Sequence, residues 1–196
     1  APNHEFGPRH LDFHPTKPWV YVSMEHGNDI QMFTLENDRF SPQPLFSQSL
    51  LAEPDDVRPR QMGGTIHVHP NGRYVYVANR ADHTLMHEGK TVFGGGENSI
   101  AVFEIDQTTG EARRIQLADP LSFYIRCFGM DPSGRILVTA ALNDMNVLEG
   151  GAVRYFPRTI TIFRVGSDGR LTLAQKHEVD TGGKKQWWMK LVELPA

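Results

Sequence analysis

Phe13-His14-Pro15-Thr16-Lys17-Pro18-Trp19-Val20-Tyr21-Val22 returns as Val68-His69-Pro70-Asn71-Gly72-Arg73-Tyr74-Val75-Tyr76-Val77, and a third time as Met130-Asp131-Pro132-Ser133-Gly134-Arg135-Ile136-Leu137-Val138-Thr139. The two later copies share a Pro-x-Gly-Arg turn. A phrase that recurs after several tens of residues marks a repeat architecture, because each copy must meet nearly the same surroundings. Downstream of each copy comes a second matching stretch, Ile30-Gln31-Met32-Phe33, Ile100-Ala101-Val102-Phe103 and Ile160-Thr161-Ile162-Phe163. Its β-branched and aromatic side chains suit a pleated, partly buried surface. Polar turns follow at Glu36-Asn37-Asp38-Arg39, Gln107-Thr108-Thr109-Gly110-Glu111 and Gly166-Ser167-Asp168-Gly169-Arg170, the last leading into Leu171-Thr172-Leu173-Ala174. Each repeat therefore reads as four antiparallel strands, A to D.

Four-stranded units repeated about an axis are the blades of a β-propeller. The expected fold is all-β, with blades over residues 8–50, 64–120 and 125–182 and a C-terminal closing strand over 186–194. An ordinary β-sandwich also alternates strands with turns, but it has no need of one strand-turn-strand phrase three times over. Closed propellers carry about four to eight blades. Three blades alone would leave two apolar faces in water, so preceding blades or another chain are expected to cover them.

Composition narrows the rest. With 39% hydrophobic and 22% charged residues and no Lys/Arg block, nothing indicates disorder or a polyanion-binding surface, and the net charge of −3 argues against nucleic acid. The single cysteine, Cys127, cannot form an internal disulfide, so stability must come from packing. No apolar run approaches the roughly 18 residues of a membrane span, and Ala1-Pro2-Asn3-His4-Glu5 has no signal-peptide pattern; a cytoplasmic location is expected, with export left open.

Strand alternation places the short A–B and C–D turns on one face of the blades and the B–C and D–A connections on the other. The long connections Ala81 to Glu97, Ala141 to Arg158 and Leu50 to Gly64 all fall on that second face, which is the expected working face. Six residues before the aligned proline stand Arg9 and Arg126, with Gly64 between them in the series, and ten residues after it stand Glu25 and Arg80. All are expected on the same face. Arg9, Arg126 and Arg80 would offer anion-binding forks beside Glu25 as a candidate base. Structural pairing of the same arginines with carboxylates between blades satisfies the spacing equally well. His10 and His67, on strand A, are further candidates for moving a proton, whereas His14 and His69 hold the position that is Asp131 in the third copy and read as turn residues. No HExxH or Cys/His spacing predicts a metal, and no cofactor is expected. Gly94-Gly95-Gly96 lacks the Lys-Ser/Thr of a phosphate loop, and no Gly-x-Ser-x-Gly elbow is present, so chemistry here would be acid/base.

Gly7-Pro8-Arg9-His10-Leu11-Asp12-Phe13-His14-Pro15 with Val20-Tyr21-Val22-Ser23-Met24-Glu25 resembles the GPRH…FHP…YVxNE phrase of the seven-bladed β-propeller lactonase family, which includes propeller-type 6-phosphogluconolactonases and fungal carboxymuconate cyclases. Ile66 through Arg80, then Asn98-Ser99-Ile100-Ala101-Val102-Phe103, is similar to its IHxxPDGRxLYxSNR…SIAVF pattern, and Arg126 through Gly134 to its third arginine phrase. The resemblance implies a metal-independent site for a small anionic lactone or carboxylate, with Arg9, Glu25 and Arg126 along the cleft. It implies hydrolysis of a 6-phosphogluconolactone-like substrate, or alternatively a lactonizing cyclase or a non-catalytic binding propeller. The chain departs from the pattern in its two long B–C connections and in Met24, where the family has Asn before the glutamate. Family blades that precede the first phrase lie outside this sequence.

Overall fold

A computed structural model describes residues 7–192, in which seventeen strands and no helix are found. The first blade comprises β1 (Pro8–Phe13), β2 (Trp19–Met24), β3 (Asp29–Glu36), β4 (Arg39–Phe40) and β5 (Phe46–Ser49), in the order β1-β2-β3 with both β4 and β5 on the outer edge of β3. The second begins with β6 (Gln61–Val68) and β7 (Tyr74–Ala81), is interrupted by the hairpin β8 (Thr84–His87) and β9 (Lys90–Phe93), and ends with β10 (Ser99–Ile105) and β11 (Ala112–Ala118). The third repeats that plan: β12 (Ile125–Met130), β13 (Ile136–Ala141), the hairpin β14 (Met145–Glu149) and β15 (Ala152–Phe156), then β16 (Thr159–Val165) and β17 (Leu171–Glu178). Every pairing within the blades is antiparallel.

The period of two in the strands assigns each side chain to one neighbouring blade. In β7, Val75 and Val77 pack toward the first blade with Trp19, Tyr21, Ile30 and Met32, while Tyr74, Tyr76 and Ala78 pack toward the third with Phe128 and Leu137. Phe103 and Val102 divide in the same way on β10. Being apolar on both faces, β7 is wholly buried. The first blade's other face carries a separate cluster of buried Val20, Val22 and Met24 with half-buried Phe33 and Leu35, and Leu11 and Phe40 are exposed.

Repeat-equivalent hydrogen bonds tie the blades. Tyr21 donates its hydroxyl to Gly110 O at 2.7 Å, and Tyr76 donates to Gly169 O at 2.9 Å. His14 Nδ1 accepts the N–H groups of Thr16 and Lys17, which leaves Nε2 to donate to Gly72 O in the next blade at 2.8 Å. His69 repeats this, with Nδ1 on the N–H of Asn71 and Nε2 on Gly134 O at 3.0 Å. Both histidines are thus turn residues that also latch the following blade.

The latch requires neutral imidazole, and burial lowers the pKa of His14 from 6.5, only partly offset by its bond to Gly72. Protons then bind preferentially to the unfolded chain, so this contribution is fully present above pH 6.5 and is lost as pH falls through the lower folded value. Urea unfolding is expected to show that slope in the wild type and a shallower one in His14→Gln. Identical slopes would assign the loss to other groups.

Three expectations are corrected. The long B–C connections are not open loops: each folds into a hairpin, turned at Glu88-Gly89 and Gly150-Gly151. Positive φ at both turn residues of the first (46° and 76°) and of the second (57° and 83°) matches the twist that two-residue hairpins need. The segment 186–194 carries no strand over its described part, 186–192. The segment instead runs beside β12, where a Cβ on Gly129 would stand 2.8 Å from Leu191, and with β6 it encloses a cavity of about 440 Å³ lined by His67, Phe128, Met130, Trp188 and Leu191. The second blade also starts at Gln61 rather than 64, because pairing with β7 continues across a bulge.

Candidate functional site

The pairing register slips at one equivalent place in each inner strand: between Pro8 and His10 in β1, Gly63 and Ile66 in β6, and Ile125 and Cys127 in β12. Arg9, Gly64 and Arg126 are the residues at these bulges. A bulge takes a residue out of the ladder and re-aims its side chain, which explains why arginine spacing survived as a signal in the sequence. Side-chain hydroxyls stitch the bulges to one another. Ser23 donates to Gly64 O at 2.7 Å, and Thr65 donates to Arg126 O at 3.0 Å.

Glu25 follows β2 and is held through its backbone, donating its N–H to Gly7 O and accepting the N–H of Gly63 at 2.9 Å. Its Oε1 accepts from Arg9 Nη1 at 2.7 Å and also from Arg80 Nη2. Arg80 comes from β7 and is fully buried, while Glu25 retains 26% side-chain exposure. Gly64 stands where the two strands approach closely, since a Cβ there would stand 3.1 Å from both the O and the Cβ of Ala78. Where two blades carry an arginine at the bulge, the second leaves a gap that an arginine from the neighbouring strand fills. Arg80 Nη1 donates to the Tyr124 hydroxyl at 2.5 Å, and its guanidinium lies 4.9 Å from the Tyr124 ring centre.

Partial burial raises the proton affinity of Glu25, but the Arg9 and Arg80 guanidinium groups outweigh it and hold the carboxyl below its ordinary value. His10 stands next to Arg9 on β1. Burial, then the charges of Arg9, His67, Arg80 and Arg126, lower its pKa below 6.5, so its ring is neutral at neutral pH. His67 lies apart, with Nδ1 3.5 Å from Asp12 Oδ2 and its ring edge-on to Phe128 at 5.2 Å. Arg126 joins neither Glu25 nor Arg9. Its guanidinium lies 4.8 Å from the Trp187 ring, and Trp188 meets His10 edge-on at 5.8 Å. Gln186 anchors that segment by donating to Ala141 O at 3.1 Å.

Of the six sequence candidates, the structure therefore joins Arg9, Glu25 and Arg80 in one network and sets His10 within its field. Arg126 is covered by the C-terminal segment, and His67 faces the cavity along β6. Tyr124 was missed, because it sits in a D–A connection that has no counterpart in the repeat phrases. Among the described residues no group of three or more His, Cys, Asp or Glu is arranged to hold a metal ion. Among the described residues no helix is long and apolar enough to cross a membrane.

The family model described as lactonase, 7-bladed beta-propeller, matches residues 1–148. The chain is 32% identical over 162 residues to a 6-phosphogluconolactonase of Bacillus subtilis, a match that covers 80% of this chain and 42% of that protein. It is 28% identical over 136 residues to a 6-phosphogluconolactonase of Yersinia pestis, covering 54% of this chain and 40% of the relative. Among solved structures, the periplasmic gluconolactonase of Pseudomonas aeruginosa aligns with a TM-score of 0.67 at 22% identity, over 89% of this chain and 40% of that one. A protein from Lactobacillus plantarum aligns with a TM-score of 0.67 at 23% identity, over 88% and 42%. These two likenesses establish the propeller fold. The chain spans less than half the length of the curated relatives it matches.

Proposed function

This chain belongs to the seven-bladed β-propeller lactonase family, and from that premise we propose that it supplies three blades and part of the active cleft of a ring that hydrolyses an anionic sugar lactone, of the 6-phosphogluconolactone type. The observation that supports this most is the Arg9–Glu25–Arg80 network, with His10 next to Arg9 on β1 and within the field of the arginines. Neutral imidazole accepts a proton near pH 7, whereas a carboxylate gripped by two guanidinium groups is a weak base. His10 is therefore assigned the base, and Glu25 the task of orienting Arg9 and Arg80. His67, which lies beside Asp12 and Phe128 away from the network, has no step in this scheme.

In the reaction, His10 takes a proton from water as the water oxygen bonds to the lactone carbonyl carbon. Arg9 stabilises the oxyanion that develops on the carbonyl oxygen. The ring C–O bond then breaks, and the departing oxygen takes the proton back from His10, which yields the open hydroxy acid. Arg126 binds the substrate's phosphate or carboxylate once Trp187 moves from its guanidinium.

A second reading, a propeller that binds a ligand without turning it over, is favoured by two contacts: both arginines engage Glu25 Oε1, and Trp187 lies over Arg126. Turnover of 6-phosphogluconolactone by the complete wild-type protein separates the readings, and Arg126→Ala tests whether Arg126 belongs to the site in either. A charge-assisted bond to phosphate is worth about 1.5–3 kcal/mol, so calorimetry with 6-phosphogluconate should show roughly 10- to 100-fold weaker binding with an unchanged melting temperature. A lowered melting temperature with unchanged affinity would make Arg126 structural and remove it from the site.

A further inference from the structure

We propose that the two blade insertions act together as a brace, and that the residue they set, Tyr124, is a positioning residue for the Arg80–Glu25–Arg9 network; the catalytic consequence rests on the lactonase reading above. Phe93 ends the first hairpin and Phe156 the second, and both pack edge-on against Phe123, with ring centres 4.9 Å and 5.5 Å away. The hairpins are joined where Asn146 Nδ2 donates to Thr91 O at 3.1 Å. Phe123 lies in the connection between β11 and β12, so a residue of neither insertion is gripped by both.

That grip answers a local cost. Leu121 and Tyr124 have φ of 56° and 55°, in the left-handed region that bulky L residues avoid, and such residues persist where their surroundings over-determine them. Tyr124 is fixed at both backbone ends. Its N–H donates to Asn98 Oδ1 at 2.8 Å, and Asn98 in turn bonds both the N–H and the O of Ala81, where the first insertion leaves β7. Its carbonyl accepts the N–H of Leu142 at 3.1 Å, where the second insertion leaves β13. Both insertions thus begin at Tyr124 and return to grip its neighbour.

The side chain so delivered is buried, and it meets Arg80 in two ways, as hydroxyl acceptor and as ring face. Arg80 has one further charged partner, Glu25, which it shares with Arg9. Holding Nη1 on the tyrosine hydroxyl sets the plane of the guanidinium, and with it the direction of Nη2 toward Glu25. A ring alone would stack equally well; the hydroxyl is what fixes the plane.

Tyr124→Phe keeps every ring in place and removes that hydroxyl. Following the Glu25 carboxyl by carbon-13 titration, and the arginine side-chain N–H signals by nitrogen-15 spectra, should show the Glu25 pKa moving up toward the ordinary carboxylate value and the Arg80 signals shifting, with the melting temperature nearly unchanged. In the complete protein, kcat on 6-phosphogluconolactone should fall about tenfold with KM little changed. Phe93→Ala with Phe156→Ala, which touches no member of the network, should move the same signals in the same direction, and Phe93→Tyr should leave them as in the wild type. If the double variant does not fold, Phe93→Leu with Phe156→Leu replaces it, and unaltered Glu25 and Arg80 signals in whichever double variant folds would overturn the brace. Unaltered Glu25 and Arg80 signals in Tyr124→Phe would overturn the proposal. Shifted signals in a wild-type background that turns over no lactone would sustain the brace and sink the lactonase reading instead.

Discussion

His10→Gln in the complete protein is expected to lower kcat on 6-phosphogluconolactone by about 10²- to 10⁴-fold, the range typical of a general base, with KM within a few-fold. Glutamine keeps a polar atom near the imidazole nitrogen but cannot accept and return a proton. The wild-type profile carries its own signature. Burial and the surrounding Arg9, His67, Arg80 and Arg126 charges depress the His10 pKa below 6.5, so the active neutral form predominates at pH 7. Activity should be flat across neutrality, and its acid limb should appear only below pH 6.5, at the folded pKa. The limb should vanish in the variant's residual rate. A His10→Gln enzyme with wild-type kcat would move the base to Glu25 or His67, and the paired Glu25→Gln and His67→Gln measurements would show which.

Gly134→Ala is expected to cost the chain about 3 kcal/mol in urea unfolding, from left-handed backbone strain of about 1–2 kcal/mol and overpacking of about 1–3 kcal/mol. Gly134 has φ of 74°, and a Cβ there would stand 2.4 Å from His69 Nε2, the atom that latches the second blade to the third. The methyl group must expel the imidazole from its bond to Gly134 O. Gly89→Ala is the control, since its φ of 76° is nearly the same but no atom lies within 4 Å of the added carbon. It should lose only the backbone part. Equal losses in the two variants would mean that the latch contributes nothing to holding the blades together.

The blades were legible because their signals are local. Tyr21 and Tyr76, or His14 and His69, occupy matching places in the phrase and make matching bonds to the next blade. The bulged arginines were legible for the same reason, as Arg9 and Arg126 stand at one offset from the aligned proline. The hairpins inside the insertions were not read, although Glu88-Gly89 and Gly150-Gly151 carried the turn signal. Tyr124 left no trace at all, because its place depends on three aromatic rings brought together from separate connections.

The sequence by itself determined the all-β blades, their order, and the face on which Arg9, Glu25, Arg80 and Arg126 emerge, since period-two alternation and a fixed offset within a repeat require no knowledge of distant residues. Only the tertiary structure decided which of those groups touch. Arg80 reaches from the second blade to Glu25 of the first, while Arg126 is turned instead to Trp187. Repeat symmetry makes the positions of the charged groups equivalent, but a charge pair forms only at hydrogen-bond distance, and that distance is set by side chains the repeat does not share.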